Sequence, residues 1–206
     1  MYELWSARGS GGAIIEAILT LANAPVRIID APPWEDGPHL EKLRQVNPLG
    51  QVPVLILPDG TVMTESGAMV LLLGERHPEA GVVPALEDPL RPAFLRWLFF
   101  VTASIYATFR FDDHPERWVS GEDCRTELRE RVGAARKAML RQLDDEAGAP
   151  FFLGDRFTAL DLYIATMSHW KPRLDWVSKN CPRLDAIVRR IKADPRLEGV
   201  LIRHFG

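Results

Sequence analysis

Residues 47–66 read Asn47-Pro48-Leu49-Gly50-Gln51-Val52-Pro53-Val54-Leu55-Ile56-Leu57-Pro58-Asp59-Gly60-Thr61-Val62-Met63-Thr64-Glu65-Ser66. Two apolar runs, Val52 to Leu57 and Thr61 to Thr64, flank Pro58-Asp59-Gly60, the composition of a tight turn between antiparallel strands. The stretch is therefore a hairpin. Pro53, at the mouth of its first strand, has no N–H for a ladder, so the backbone of Val52 is expected to face outward unpaired. A cis Val52–Pro53 bond would aim that N–H and C=O at a ligand in the manner of an added strand. Beyond Glu65-Ser66 a helix begins at Gly67 to Leu73. Its first N–H groups lack partners and suit a carboxylate, while Glu65 could hold an ammonium. A peptide-like edge, an anion site and an acid in one stretch suit a small zwitterionic peptide.

Outward from the hairpin, Tyr2 to Ser6 reads as a short strand, Ala7-Arg8-Gly9-Ser10-Gly11-Gly12 as a turn, and Ala13 to Ala22 as a helix with Ile14, Ile15, Ile18 and Leu19 on one face. Asn23-Ala24-Pro25 stops it before a second strand, Val26 to Asp30. The order βαβ then ββα is thioredoxin-like topology. Between the halves, Pro32-Pro33-Trp34 and Gly37-Pro38 forbid a long helix and leave a short one at Leu40 to Val46. After the helix ending at Arg76-His77-Pro78, residues 79–87 lack periodicity and read as a linker. The chain beyond is helical: Leu90 to Phe111, then Glu122 to Glu146 with an inner stripe of Leu128, Val132, Ala135, Met139 and Leu143. A helix opens at Thr158-Ala159-Leu160-Asp161 with a capping box, and a last one opens at Pro182 with Leu184, Ile187, Val188 and Ile191 inside. The expected class is α+β, with a thioredoxin-like domain at 1–78 and an all-α domain at 88–206.

The series Asn47 to Leu55 followed by Glu65-Ser66 resembles the glutathione-binding signature of the glutathione transferase family, in order and spacing. The resemblance implies glutathione as cosubstrate, a small and mostly apolar electrophile, a detoxifying transferase activity and a homodimer. Glutathione-dependent isomerases and dehalogenases share these residues, and a non-catalytic binding or scaffold protein on the same fold is the reading from another class.

Composition agrees with a soluble globular chain: 206 residues, 47% hydrophobic, 26% charged and a formal net charge of −3. That charge gives no electrostatic reason to expect nucleic acid or an anionic membrane. The opening Met1-Tyr2-Glu3-Leu4-Trp5 lacks the basic region of a secretory signal. The apolar stretch Trp97 to Phe109 is shorter than the roughly 20 residues of a bilayer span, and is expected to be a buried helix. Two distant cysteines, Cys124 and Cys181, lack metal-ligand spacing, so no metal is expected, and they favour a reducing cytoplasm over a disulfide scaffold.

A thiol transferase needs its thiol ionised. Lowering a free thiol pKa of about 8.5 by two units takes roughly 2.7 kcal/mol of preferential stabilisation of the anion, within reach of one hydroxyl and a helix N-terminus. The turn after the first strand faces the hairpin proline in this fold and must hold the donor. Ser10, with the N–H groups of Gly11 and Gly12, is the leading choice; Ser6 or backbone amides alone are the alternatives. Arg8-Gly9-Ser10-Gly11 resembles the turn of the serine and cysteine types, with Gly11 where the cysteine types carry their sulfur and no tyrosine at the strand end. Gln51 is a candidate for the tripeptide's glycine carboxylate, or else a surface amide; Arg8, His39 and Lys42 lie on segments that reach the same place. Glu65 is alternatively a solvent-exposed acid at a helix start. For the electrophile, Trp5, Trp34, Tyr106, Phe109, Arg110, His114, Trp118 and Trp170 form the pool. Tyr106 and Arg110 stand out because one helical turn sets a hydroxyl and a cation on one face.

Overall fold

In the computed structural model, which describes every residue from Met1 to Gly206, the central strand is β1 (Tyr2–Ser6). It pairs in parallel with β2 (Val26–Asp30) and antiparallel with β3 (Val54–Ile56), and β4 (Val62–Met63) closes the order β2-β1-β3-β4. β1 divides its apolar side chains between the two faces of the sheet. Leu4 packs with Ile14, Ile15 and Ile18 of α1 (Gly12–Leu21), whereas Trp5 packs with Ala31, Leu40, Leu43 and Val54 on the side of α2 (Pro38–Val46). The hairpin forms as expected, with shorter strands: Gly60 N–H bonds the Leu57 carbonyl at 2.9 Å, and Asp59 Oδ1 accepts from Thr61 N–H at 2.9 Å. α3 (Ser66–Arg76) returns over the sheet against α1. Thus the sheet-bearing part has the thioredoxin-like βαβ-ββα order, and the rest is helical.

The helix expected at Leu90 to Phe111 forms, with a π-helical segment inside it. α4 (Arg91–Phe99), a π-helical segment (Phe100–Ile105) and α5 (Tyr106–Asp113) form one helical path, Arg91–Asp113, of 23 residues. By length and composition alone it is long enough to cross a membrane, yet Phe94, Trp97, Leu98, Val101 and Ile105 are all turned into the core. The π segment departs from the 3.6-residue period, with Thr102 Oγ1 donating back to the Leu98 carbonyl at 2.8 Å.

α6 spans Glu122–Glu146 as expected, but its inner face is different. Arg136, Leu140, Leu143 and Asp144 are buried, whereas Ala135 is exposed and Leu128, Val132 and Met139 are half-buried. The reason lies on α5: the Arg136 guanidinium meets the buried Asp112 carboxylate at 2.7 Å and lies 4.4 Å from the centre of the Phe109 ring. α7 (Ala159–Met167) is buried along its whole length and opens with the capping box, Thr158 N–H donating to Asp161 at 2.7 Å. Phe152 N–H adds a bond to the same carboxylate at 2.8 Å. α8 (Leu174–Asn180), α9 (Pro182–Lys192), with the expected apolar residues inside, and α10 (Glu198–Phe205) complete the chain. One apolar core runs through both halves, from Leu4 and Leu73 to Phe94 and Tyr163.

Candidate functional site

Three pieces of backbone meet at the C-terminal end of β1: the turn 7–12, the mouth of the hairpin, and the start of α3. In the turn, Ser10 Oγ accepts from Ala7 N–H at 3.2 Å and Gly12 N–H at 3.1 Å, and its own proton has no acceptor in the chain. Ser6 is buried deeper. Its hydroxyl lacks any partner and lies 1.9 Å from where a Cβ on Gly12 would stand, so only glycine fits at the first position of α1. Gly9 holds a φ of +74°, and its carbonyl accepts from the Trp170 indole at 2.7 Å. Arg8 bonds the Gly206 carbonyl, so it is engaged with the C-terminus.

At the hairpin mouth the Val52–Pro53 bond is cis, and neither the N–H nor the C=O of Val52 has a partner. The loop before it is clipped by Asn47, whose buried side chain donates to the Gln51 carbonyl at 2.9 Å and accepts from Leu49 N–H at 3.2 Å. Gln51 itself is half-buried. Pro53 faces the turn: a Cβ on Gly11 would lie 3.8 Å from Pro53 Cδ and 3.5 Å from the hydroxyl of Tyr106.

At the start of α3, Glu65 is exposed and holds φ +62°, ψ +99°. A non-glycine residue in such a region costs about 1–3 kcal/mol. Ser66 is half-buried and accepts from the Tyr163 hydroxyl at 2.8 Å, which leaves the serine's own proton free to donate outward. No side chain caps this helix.

Of the aromatic pool, the structure gathers Tyr106, Phe109 and Trp170, with Tyr163 added. Ring centres lie 5.0 Å apart for Phe109 and Trp170, 5.2 Å for Tyr106 and Trp170, and 5.6 Å for Tyr106 and Tyr163, all edge to face. Trp5 belongs to the core under α2, and Trp34 and Trp118 are exposed. Tyr106 and Arg110 do not share surroundings: the Tyr106 hydroxyl is buried and unpartnered, while Arg110 is exposed and makes no ion pair. His39 is taken up by the Pro32 and Glu35 carbonyls at 3.1 and 3.0 Å, His114 by Glu116 at 3.3 Å, and Lys42 is exposed. Cys181 is a core thiol pushed up to about 11 by burial, whereas Cys124 is exposed.

Burial governs the electrostatics. It pushes the Tyr106 phenol well above its ordinary value, with the Tyr163 hydroxyl adding to the effect. Tyr163 is raised too, chiefly by burial, against the bond to Ser66. An unpartnered buried hydroxyl such as that of Tyr106 costs the fold about 1–3 kcal/mol. Tyr163 was missed from the sequence as part of the site, as were the tie of Trp170 to the first turn and the clip that Asn47 makes in its loop. Only Asn47 carried a local signal, its position at the head of the loop it clips.

A family model described as the glutathione S-transferase N-terminal domain matches residues 14–76. The chain is 34% identical to the uncharacterized GST-like protein YncG of Escherichia coli (strain K12), over 99% of this chain and 98% of that one. It is 29% identical to maleylacetoacetate isomerase of Rhizobium meliloti (strain 1021), over 92% and 89% of the two chains. Among solved structures, a glutathione transferase homologue from Sulfitobacter with bound glutathione superposes with a TM-score of 0.84 at 22% identity, covering 97% of this chain and 96% of that one. At that identity the likeness is one of fold.

Proposed function

The chain belongs to the glutathione S-transferase family, and from that premise we propose that it binds glutathione and transfers its thiolate to a small, mostly apolar electrophile. The observation that carries this reading is the unpaired backbone of Val52 beside cis Pro53, facing the turn that holds Ser10 and Gly11. A tripeptide's central residue pairs with Val52 as an added strand does. Its γ-glutamyl end reaches Ser66, the first N–H groups of α3 and the Glu65 carboxylate, and Gln51 serves the glycine end. The sulfur then comes to the first turn, where Ser10 donates the proton it has not spent within the chain. The thiol proton leaves to solvent, the sulfur lone pair forms the S–C bond, and with an aryl halide the halide departs.

The electrophile meets the wall of Tyr106, Phe109 and Trp170, with Arg110 at its exposed rim. The division at 79–87 into a glutathione-holding part, 1–78, and a helical part, 88–206, belongs to the same proposal, as do a cytoplasmic location, a detoxifying role and a homodimer, the last checked by the mass in solution. The similarity to maleylacetoacetate isomerase favours a second reading. There the thiolate adds reversibly to a carbon–carbon double bond and leaves again, using the same sulfur site.

Isothermal titration with glutathione at millimolar concentration tests the binding, and a panel of aryl halides, epoxides and cis-enediones tests the turnover. Heat of binding with no turnover on any of them would make the protein a glutathione-binding scaffold, and no heat at all would end the proposal. Ser10→Ala should move the acid limb of the pH–rate profile to higher pH while the fold remains. An unmoved limb would reassign the turn's donor to Ser6 or to the backbone.

A further inference from the structure

The buried ion pair between α5 and α6 backs the aromatic wall. Asp112 stands three residues beyond Phe109 on α5, so the two side chains leave the helix on the same face. One Asp112 oxygen accepts from Arg136 Nη2 at 2.7 Å, and that guanidinium lies 4.4 Å from the centre of the Phe109 ring. The other oxygen accepts from Lys171 Nζ at 3.3 Å, and Lys171 is the residue next to Trp170, whose ring centre is 5.0 Å from that of Phe109. A single carboxylate thus holds a neighbour of each ring. Nothing else fixes the guanidinium as firmly: its Nε has no partner, and Thr108 Oγ1 is 3.4 Å from Nη1.

Stability alone does not call for such a pair. Replacing a buried ion pair by apolar side chains of similar volume is often neutral or stabilising. This chain instead keeps a charge pair whose cation rests against Phe109, a half-buried ring of the wall. An apolar side chain slides against its neighbours, whereas a guanidinium held by a carboxylate at hydrogen-bond distance has a fixed place. Phe109 inherits that place. Trp170 is held from two sides, by the tie of Lys171 to Asp112 and by the indole's bond to the Gly9 carbonyl at 2.7 Å.

We propose that Asp112 is a positioning residue for the electrophile: through Arg136 and Lys171 it sets the places of Phe109 and Trp170, and with them the slot that an electrophile's apolar group enters. The assignment rests on the glutathione reading above and deepens it. Asp112 itself is 6% exposed and acts only through its two cations.

The test uses S-methylglutathione and S-benzylglutathione, which carry the same peptide, differ only in the group presented to the wall, and need no turnover. In the unaltered protein, titration calorimetry should give S-benzylglutathione the tighter binding. Asp112→Asn keeps the shape of the side chain and removes its charge. It should bind glutathione and S-methylglutathione as the unaltered protein does, while the S-benzyl advantage shrinks about two- to tenfold, the worth of one aromatic contact. Since that variant leaves the Arg136 charge without a partner in the interior, two others carry the test if it does not fold. Arg136→Met with Asp112→Asn has no orphan charge and should lose the advantage to the same extent. Lys171→Met, at a side chain 60% exposed, leaves the buried pair in place and should lose a part of it. An S-benzyl advantage unchanged in any of the three, once folded, overturns the assignment while the glutathione reading stands. A parallel fall in all three affinities overturns it too, by making the pair a prop of the fold alone. An unaltered protein that binds glutathione without favouring the benzyl group removes the slot, and the assignment with it. Absence of glutathione binding by the unaltered protein removes the reading and the assignment together.

Discussion

Replacing Arg136 with methionine isolates the strongest interaction between α5 and α6. The guanidinium is 2% exposed and Asp112 is 6% exposed, and their Nη2–Oδ2 contact is 2.7 Å. Removing one partner of a buried ion pair costs about 3–5 kcal/mol, because the other charge stays behind without solvent. Two features adjust that figure. Lys171 Nζ stands 3.3 Å from the second Asp112 oxygen, and an exposed cation of this kind offsets about 1 kcal/mol or less. Loss of the stack on Phe109 adds about 0.5–2 kcal/mol in the opposite direction. Arg136→Met should therefore lose about 3–5 kcal/mol in urea unfolding, a large part of the roughly 5–15 kcal/mol that holds a folded domain together. The double variant Arg136→Met with Asp112→Asn leaves no orphan charge and should regain more than half of the loss. A single-variant cost under about 1 kcal/mol, or a double variant as unstable as the two single costs summed, would refute the reasoning, since either result means the pair is not desolvated as its burial implies.

Tyr163→Phe frees Ser66 from its donor, so glutathione affinity by titration calorimetry should fall about three- to tenfold, equivalent to a net hydrogen bond of about 0.5–1.5 kcal/mol; unchanged affinity would mean that Ser66 does not use its freed proton on the ligand. Thr158→Ala removes one member of the capping box and should cost about 0.5–2 kcal/mol by chemical unfolding. Burial lowers His169 from 6.5 to about 4, so the unfolded chain takes up a proton that the folded one refuses, and stability is lost as pH falls from 6.5 toward 4. Asp161 works in the opposite sense: burial raises it from 3.8 to about 6, against its bonds from Phe152 and Thr158, and the folded chain loses stability as pH rises across that window. The two slopes oppose each other. His169→Phe, which keeps the stack on Phe205, should therefore show, relative to the unaltered protein, a thermal midpoint that gains on acidification between pH 6.5 and 4; parallel curves for the two proteins would contradict the assignment.

The parts of the fold legible in sequence are those whose signal is local. The Pro58-Asp59-Gly60 turn, the capping box at Thr158 and Asp161, and the inner face of α9 are each written within a dozen residues. The interior of α6 is not local in that sense. Arg136 stands one position beside the apolar stripe and reads as solvated until Asp112, 24 residues earlier, is known to face it. Likewise, the π segment at Phe100–Ile105 interrupts the helical period, so the phase of Tyr106 cannot be carried over from Trp97 by counting residues. At the candidate site, Val52, Pro53, Glu65 and Ser66 were singled out through their turn and helix-start chemistry, whereas Tyr163 lies 97 residues from Ser66 and Trp170 lies 161 from Gly9. No pattern links such pairs before the chain is folded.

The same distances show where the site is made. Each of its three backbone pieces touches the helical half: the turn through Trp170, the seam at Gly11 through Tyr106, and the start of α3 through Tyr163. Two local costs remain there that packing does not offset, the left-handed backbone of Glu65 and the unpaired Tyr106 hydroxyl. A fold selected for stability alone would place glycine at the first and phenylalanine at the second, each a one-residue change that relieves about 1–3 kcal/mol. Departures from local consistency of this kind, one aiming a carboxylate outward and the other leaving a donor unmet near an unpaired peptide edge, fit the ligand-binding cleft proposed above better than a structural interface.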